Sequence, residues 1–322
     1  MDSLLAILRR TVEKRLAWDD TEVSASLGKP AVFILTPPRS GSTLLRVMLA
    51  GHPELFAPPE LELLSFTNLK HRREGLSLRH GYMLRGLVRA VMALRECGEA
   101  EAEGLVNEWE ARAVLMPEVY AQLQEWCGSR MLVDKSVHYA LSPKILQRAA
   151  DCFGQARFIH LTRHPQATLQ SIVSMKLDKE LFGGVSAGAE EIAEGIWTLS
   201  HENILGFLDP IPAGHRLRVR YEDLVSAPQD ELGRICAFLG IAFHPAMLLP
   251  YAERRQRMTD EIGPQDPNFH RHQGIDARLA EAWRDSGHVA LSSESMCIAD
   301  KLHRQQSCCG TRICPHPSWP VG

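Results

Sequence analysis

Four apolar segments, each followed by a helical pattern, organise the chain. Short apolar runs bounded by turn residues indicate buried strands. The predicted strands are residues 31–36, 130–134, 157–161 and 217–219, and the predicted helices behind them are residues 44–49, 143–150, 166–175 and 229–239. This alternation predicts an α/β fold with a P-loop-like, mostly parallel sheet flanked by helices. Ligands bind such sheets at the carboxyl ends of the strands.

A long helical pattern, residues 61–126, separates the first two predicted strands. We interpret it as a helical insertion that forms a lid over the active site. Residues 1–28 mix apolar residues with Arg, Glu and Lys, which predicts an amphipathic helix and a linker rather than a signal peptide. The main domain is expected to span residues 29–305, followed by a flexible tail at residues 306–322.

Composition restricts the class of protein. The chain has 322 residues, of which 45% are hydrophobic and 23% charged, as in a soluble globular protein with one large domain or two smaller ones. Its net charge of −3 provides no overall basic field for nucleic acid. No apolar run is as long as a membrane span.

The cysteines favour a reducing compartment. Most of the eight are scattered singly, without the spacing of a disulfide framework, which predicts a cytoplasmic protein. The tail brings together Cys308, Cys309, Cys314 and His316, a set of metal-ligating residue types. Because the first two are adjacent and the spacing matches no common zinc pattern, we expect no metal there.

The first apolar segment leads into TPPRSGSTLL, residues 36–45, which is built like a phosphate-binding loop. The first amides of a helix are unpaired and positively polarised, so a phosphate can accept their hydrogen bonds. The Gly-Lys-Ser/Thr signature of an ATP-hydrolysing P-loop is missing, and an arginine replaces its lysine. The alternative is a helix capped by Ser or Thr after a proline turn. The candidate phosphate ligands are Pro38, Arg39, Ser40, Gly41, Ser42 and Thr43.

A second candidate anion site lies in LTRHPQATLQS, residues 161–171. Arg163 follows a predicted strand, and Ser171 lies on the helix that Pro165 begins. Side chains placed in this way can converge on one oxyanion. An ordinary helix entry with a surface arginine would give the same pattern.

Together, PPRSGST and the R-H-P…S pattern of Arg163 and Ser171 resemble the PAPS-dependent sulfotransferase family. The resemblance extends into RYEDLVSAPQDELGRICAFLGI, residues 220–241, and covers about residues 30–303. In that family the first loop cradles the 5′-phosphosulfate of 3′-phosphoadenosine-5′-phosphosulfate (PAPS), and the Arg/Ser pair binds the 3′-phosphate. The resemblance implies an enzyme with PAPS as donor, 3′-phosphoadenosine-5′-phosphate (PAP) as product, and no required metal.

Three more stretches, GHPELFAPPELELLSF, LVDKSVHYALSP and DPNFHRHQGIDARLAEAW, resemble the sulfotransferase domains of curacin-type polyketide synthases and olefin synthases, which make terminal alkenes. The implied acceptor is the β-hydroxyl of an acyl chain on the phosphopantetheine arm of an acyl carrier protein. A thioesterase then releases the chain. Because this sequence starts at a methionine and ends without a thioesterase, we expect an excised domain or a free-standing relative with a separate thioesterase. A small-molecule, sugar or tyrosyl hydroxyl is the alternative acceptor.

The resemblance also implies catalytic roles. Arg39 would face the departing phosphosulfate, and Lys135 resembles the lysine that holds its bridge. Glu60 is the favoured base on position, and His138 is the rival because cytosolic sulfotransferases use a histidine shortly after the lysine. Histidine has the more suitable unperturbed pKa, whereas a glutamate needs burial or a partner. His71 is a further candidate from the insertion.

Other donor contacts are implied more loosely. Arg271 and His272, in HRHQG, lie where the family places another contact to the 3′-phosphate. Tyr221 is included as a candidate adenine contact, although it and Trp197 are of a type that more often packs in a core.

Two rival functions remain open from the residues alone. The stretch RMLVDKS contains an apolar strand that ends in an aspartate, as in a Walker B element. A Mg²⁺-dependent nucleotide kinase is therefore one alternative. A nucleotide- or carrier-binding module without catalysis is the other. The stretch LKHRREGLSLRHG, residues 69–81, predicts either a basic docking surface for an acidic carrier protein or an ordinary solvated helix.

Overall fold

A parallel sheet forms the centre of the protein. The computed structural model describes residues 1–15, 27–77, 81–259, 266, 269–284 and 290–307. Within them, the five strands are β1 (Ala31–Leu35), β2 (Leu55–Phe56), β3 (Met131–Asp134), β4 (Arg157–Thr162) and β5 (Arg216–Arg220). Their order is β2-β3-β1-β4-β5, and every neighbouring pair is parallel. The predicted α/β class and its four strands are confirmed, and β2 is a strand that the sequence did not predict.

The central strand β1 is buried on both faces, which explains its uninterrupted apolar sequence. Successive side chains of a strand point to opposite faces. Phe33 and Leu35 accordingly belong to one apolar core, while Val32 and Ile34 belong to a second core on the other side of the sheet.

Helices cover both faces of the sheet. In chain order they are α1 (Asp2–Arg15), α2 (Ser42–Leu49), α3 (Leu69–Ser77), α4 (Leu84–Arg95), α5 (Glu99–Ala111), α6 (Met116–Cys127), α7 (Pro143–Cys152), α8 (Pro165–Ser174), α9 (Leu177–Phe182), α10 (Ala189–Leu208), α11 (Tyr221–Ser226), α12 (Pro228–Leu239) and α13 (Ser293–Ser307). Among the described residues, no helix combines the length and the apolar character needed to cross a membrane.

The predicted long helix over residues 61–126 is wrong in detail. That stretch forms α3, α4, α5 and α6, and residues 61–68 are not helical. Gly98 caps the start of α5 in an extended conformation, and Pro117 lies in the first turn of α6. Both residue types favour helix starts over helix interiors, so they divide the segment.

The amino-terminal helix packs against α10, a long helix that the sequence analysis did not predict. Leu8 is buried against the helix, and a Cβ at Gly195 would lie 2.5 Å from its Cδ1, so the glycine permits this close approach. Trp197 is fully buried in the same apolar cluster. Residues 16–26 and 308–322 lie outside the described residues, and with them the four metal-ligand types of the tail.

The carboxyl edge of the sheet gathers the chemically interesting residues. The loop after β1 leads to α2, Lys135 follows β3, Arg163 follows β4, and Tyr221 follows β5. Neighbouring parallel strands end side by side, so these four connections meet at one edge.

Candidate active site

The loop between β1 and α2 is shaped by a glycine in contact with an aromatic ring. Gly41 has φ 86°, in the left-handed region, and a Cβ added to it would lie 2.2 Å from Cδ2 of Tyr221. Only glycine fits such a position without moving its neighbour. Tyr221 is therefore a buried packing residue of this loop, and burial raises the pKa of its phenol.

Arg39 connects the two predicted anion-binding stretches. Its Nε donates to Oγ of Ser171 at 3.0 Å, and its Nη2 lies 3.4 Å from Oδ1 of Asp266. Nη1 of Arg163 donates to the Arg39 carbonyl oxygen at 2.9 Å. The guanidinium of Arg163 also lies 4.7 Å from the centroid of the Tyr221 ring. The structure thus brings Arg39, Arg163 and Ser171 together, although Arg39 follows β1 and the other two follow β4.

Ser40 carries a buried hydroxyl whose oxygen has no hydrogen-bond partner within the described part of the chain. A buried hydroxyl without a partner costs free energy, so an external acceptor at this loop would stabilise it. The next residues, Ser42 and Thr43, lie in the first turn of α2 and line a cavity.

That cavity has a volume of about 130 Å³ and lies at the carboxyl edge of the sheet. The loop after β1, the segment after β3, the helix α9 and the turn Gly81–Met83 all contribute walls. Its lining residues are Pro38, Arg39, Ser42, Thr43, Arg46, Pro59, Glu60, Tyr82, Met83, Lys135, Val137, His138, Leu177, Glu180, Leu181 and Asp266. The predicted catalytic residues Arg39, Glu60, Lys135 and His138 are all among them.

Glu60 and Lys135 form an ion pair in this cavity. Nζ of Lys135 lies 2.5 Å from Oε1 of Glu60, and the side chains are 6% and 22% exposed for the lysine and the glutamate. The backbone of α4 presses on the same residue, because a Cβ at Gly86 would lie 1.9 Å from the Glu60 carbonyl oxygen. Helix packing thereby fixes the position of Glu60 from the side of the insertion.

His138 pairs with a second glutamate, two residues after the first. Nδ1 of His138 donates to Oε1 of Glu62 at 3.0 Å, and Oγ of Ser65 donates to Oε2 at 2.9 Å. Burial opposes the charge on the imidazole, but the charge and hydrogen bond of Glu62 outweigh it and raise the pKa of His138. Burial likewise opposes the charge on Glu62, but His138 and Ser65 outweigh it and lower the pKa of Glu62.

Beneath these pairs, Asp134 anchors a buried hydrogen-bond network. Its Oδ2 accepts from the hydroxyls of Tyr120 at 2.5 Å and Tyr139 at 2.9 Å, and its Oδ1 accepts from Ser136 at 3.0 Å. Burial raises the pKa of Asp134 to about 6, against the effect of these hydrogen bonds. The Tyr139 hydroxyl in turn accepts from the backbone amide of Leu63. The network therefore holds the loop that carries Glu60 and Glu62.

Three further predicted residues do not line the cavity, and their roles stay predictions. Arg271 is exposed and His272 half-buried, next to the short helical turn Phe269–Arg271, and neither lines the cavity. Nδ1 of His71 lies 3.1 Å from Oγ1 of Thr67, and His71 does not line the cavity either.

Residues 78–80 of the predicted basic stretch, residues 69–81, lie outside the described residues, and not all of its described arginines face solvent. Arg72 is buried and donates to the carbonyl oxygens of Leu61 and Met83, so it supports the cavity wall and does not face solvent. Arg73 pairs with Glu110 at 2.6 Å. Burial lowers the pKa of Arg72 to about 10.

Several residues of the site were missed from the sequence. Arg46 had a visible signal, because it is the single charged residue in the apolar helix α2; it is buried, and burial lowers its pKa to about 10. Asp266 and Glu180 had none, since their approach to the cavity depends on how distant segments fold back.

Comparison with known proteins agrees with this geometry. The model of the Sulfotransferase family matches residues 30–245, and the chain belongs to that family. It is 38% identical to the sulfotransferase domain from the curacin biosynthetic pathway, with a TM-score of 0.80 over 87% of this chain and 99% of that one. It is also 38% identical to the sulfotransferase domain of the Synechococcus PCC 7002 olefin synthase, with a TM-score of 0.79 over 89% and 98% of the two chains. The expected family and fold are confirmed.

Curated relatives are more distant. Nodulation protein NoeE of Sinorhizobium fredii (strain NBRC 101917 / NGR234) is 26% identical in an alignment 276 residues long, which covers 78% of this chain and 59% of that protein. Protein-tyrosine sulfotransferase 2 of Gallus gallus is 26% identical over 244 residues, or 75% of this chain and 60% of that protein. The chain spans about three-fifths of the length of these relatives.

Proposed function

We propose that the protein transfers the sulfuryl group of PAPS to a hydroxyl, namely the β-hydroxyl of an acyl chain on an acyl carrier protein. The acceptor class is supported by the 38% identity to the curacin and olefin synthase domains, which extends over nearly their whole length. The observation that carries the reaction is the Glu60–Lys135 pair, held in the same cavity as Arg39 and the start of α2.

The residues present fit a bisphosphorylated nucleotide. The unpartnered hydroxyl of Ser40, the left-handed Gly41 and the amides at the start of α2 suit the 5′-phosphosulfate. Arg163 and Ser171, joined to the same loop through Arg39, suit the 3′-phosphate. When bound, PAPS supplies the sulfuryl group, which bonds to the acceptor oxygen as its bond to the nucleotide phosphate breaks.

Side chains of the cavity divide the remaining chemistry. Glu60 accepts the proton that the acceptor hydroxyl loses, and Lys135 and Arg39 offset the negative charge that develops on the departing phosphate oxygen. His138 is the poorer base, because the charge and hydrogen bond of Glu62 raise its pKa and so favour the protonated imidazole. In this assignment the two carboxylates have separate roles, one catalytic and one electrostatic.

The kinase alternative is less well supported. A Walker B aspartate must be available to hold Mg²⁺. Both carboxylate oxygens of Asp134 instead accept hydrogen bonds from Tyr120, Tyr139 and Ser136. A tyrosyl acceptor is the second candidate within the family, supported by the 26% identity to protein-tyrosine sulfotransferase 2.

We also propose a cytoplasmic location and a thioesterase reaction that follows sulfation. Cys97, Cys127, Cys236 and Cys297 are free thiols, which suits the reducing cytoplasm. A separate thioesterase would consume the sulfated acyl chain, whose sulfate is a good leaving group.

The first test is calorimetric titration of the protein with PAP and with adenosine 5′-phosphate, both without Mg²⁺. We expect much tighter binding of PAP, since it alone carries a 3′-phosphate. The second is transfer from PAPS to a β-hydroxyacyl carrier protein, followed by the mass increase of a sulfate group. Equal or Mg²⁺-dependent nucleotide binding would contradict the donor assignment. Sulfation of a tyrosyl peptide but not of the acyl chain would show that the acceptor is a tyrosyl hydroxyl and not the proposed β-hydroxyl.

A further inference from the structure

Two acidic residues on one loop pair with two basic residues on one turn. Glu60 pairs with Lys135, and Glu62 pairs with His138. The mechanism uses only the first pair. The second requires an explanation, because Glu62 is buried and has φ 49°, a left-handed conformation that non-glycine residues rarely adopt.

The contacts of Glu62 fix the orientation of the imidazole. Its Oε1 accepts a hydrogen bond from Nδ1 of His138, and its Oε2 accepts one from Oγ of Ser65. Its backbone amide donates to Oγ of Ser136, which ties it to the segment carrying His138. Because the two ring nitrogens point in nearly opposite directions, Nε2 lies on the side of the ring away from Glu62. His138 lines the cavity and its Nδ1 is bonded to Glu62, so Nε2 is the ring nitrogen that we assign to the acceptor.

We infer that His138 donates a hydrogen bond through Nε2 to the carbonyl oxygen of the acceptor thioester, and that Glu62 is the residue that positions it. This inference rests on the proposed function, since it requires a β-hydroxyacyl acceptor. In such an acceptor two carbons separate the hydroxyl from the carbonyl. Glu60, the proposed proton acceptor of the hydroxyl, and His138 line the same cavity, so one acceptor could contact both through its two oxygens.

The charges around the ring agree with a protonated donor. Carboxylates come from the loop after β2, from α9 and from Asp266, and positive charges come from the segment after β3, the β1 loop and α2. The titratable groups lining the same cavity are Glu60, Glu180, Tyr82, Lys135, Arg39, Arg46 and Asp266. Glu62 is the carboxylate in hydrogen-bond contact with Nδ1, so it is the group to remove.

A pair of small acceptors tests the inference. One is the β-hydroxyoctanoyl thioester of pantetheine, and the other is the thioether in which a methylene replaces the carbonyl. The full chain should favour the thioester in kcat/KM by about 10-fold or more, the factor expected for a hydrogen bond to a charged group. His138→Ala should bring that ratio close to one. His138→Gln keeps an N–H donor and should restore part of the preference.

The role of Glu62 needs its own variant. Glu62→Gln should reduce the same ratio and move the loss of thioester turnover at high pH to lower pH, because the imidazole then loses its proton more easily. Glu110→Gln is the matched control, since Glu110 is also buried and pairs with a basic residue, Arg73. It should leave both the ratio and the pH profile as in the wild type. Calorimetry with PAP confirms that each variant folds.

The outcomes separate the inference from the proposed function. Equal kcat/KM for the two acceptors in the wild type, or an unchanged ratio in His138→Ala, would overturn the inference alone. A pH profile that does not respond to Glu62→Gln would overturn the positioning role. Turnover of neither acceptor, with normal PAP binding, would overturn the proposed acceptor and the inference together.

Discussion

Lys135 and Glu60 approach to 2.5 Å, although 75 residues separate them in the chain. The pair joins the end of β3 to the loop after β2, which are neighbours in the sheet. Sheet topology therefore brings a carboxylate and a cation to one point in the cavity.

Replacement of Glu60 by glutamine should remove the base and preserve its shape. We expect kcat to fall by about 10²- to 10⁴-fold, the usual contribution of a positioned general base. PAP affinity should change much less, because the donor-binding residues are on other segments. Single-turnover sulfation and calorimetry measure the two effects. Loss of PAP binding to the same degree as turnover would show that Glu60 acts through the donor site instead.

Gly86→Ala should disturb Glu60 from a distance. A Cβ at this position would lie 1.9 Å from the Glu60 carbonyl oxygen, so α4 or the loop must move. Such overpacking costs about 1–3 kcal/mol in stability, and turnover should fall with it. Gly206→Ala is the matched control, since a Cβ in this exposed turn of α10 meets nothing within 4 Å. In the control, alanine should raise the free energy of unfolding by about 0.5–1 kcal/mol, and the protein should unfold at a slightly higher temperature.

Arg163→Ala should weaken the donor site selectively. Arg163 donates to the Arg39 carbonyl and covers Tyr221, and its charge suits a 3′-phosphate. We expect PAP to bind about 10- to 100-fold more weakly, as for the loss of a charge-assisted hydrogen bond, and adenosine 5′-phosphate to be affected less. Arg157→Ala, at the other end of β4, is the control. An equal loss for both nucleotides would place Arg163 at the 5′ end.

Asp134 should make stability depend on pH. Its pKa is raised to about 6 in the folded protein, above the unfolded value near 3.8, so the folded state binds the proton more tightly. The folded state consequently loses stability, on the order of 3 kcal/mol, as pH rises from about 4 to 6. Asp134→Asn should remove this loss. Denaturant unfolding of both proteins at pH 4, 5, 6 and 7 measures the difference, and parallel curves would contradict the assignment.

The sequence was sufficient for the parts of the site that depend on local chemistry. Apolar runs located β1, β3, β4 and β5, and the residue types in the loops after them identified Arg39, Lys135 and Arg163. The strand predictions are confirmed, and the three side chains lie at one edge because parallel strands end there. Their roles in the site stay predictions.

Prediction failed where tertiary contacts decide. Arg72 looks like a surface charge in the sequence, yet it is buried because two backbone carbonyls accept its hydrogen bonds. Glu62 and Asp266 reach their partners only after remote segments pack. The two-residue β2 is a strand because β3 provides a neighbour, and its own pattern is too short to indicate one.

The hydrogen-bond network around Asp134 limits which parts of the cavity substitutions can reshape. It fixes the loop of Glu60 and the turn of Lys135 to the sheet, whereas Leu177, Leu181, Tyr82 and Met83 reach the cavity from separate outer elements. Substitutions in those outer walls can reshape the cavity without moving Glu60 and Lys135. Selection for a new hydroxyl compound would therefore act on α9 and the Gly81–Met83 turn, and an engineer seeking one should randomise the same walls.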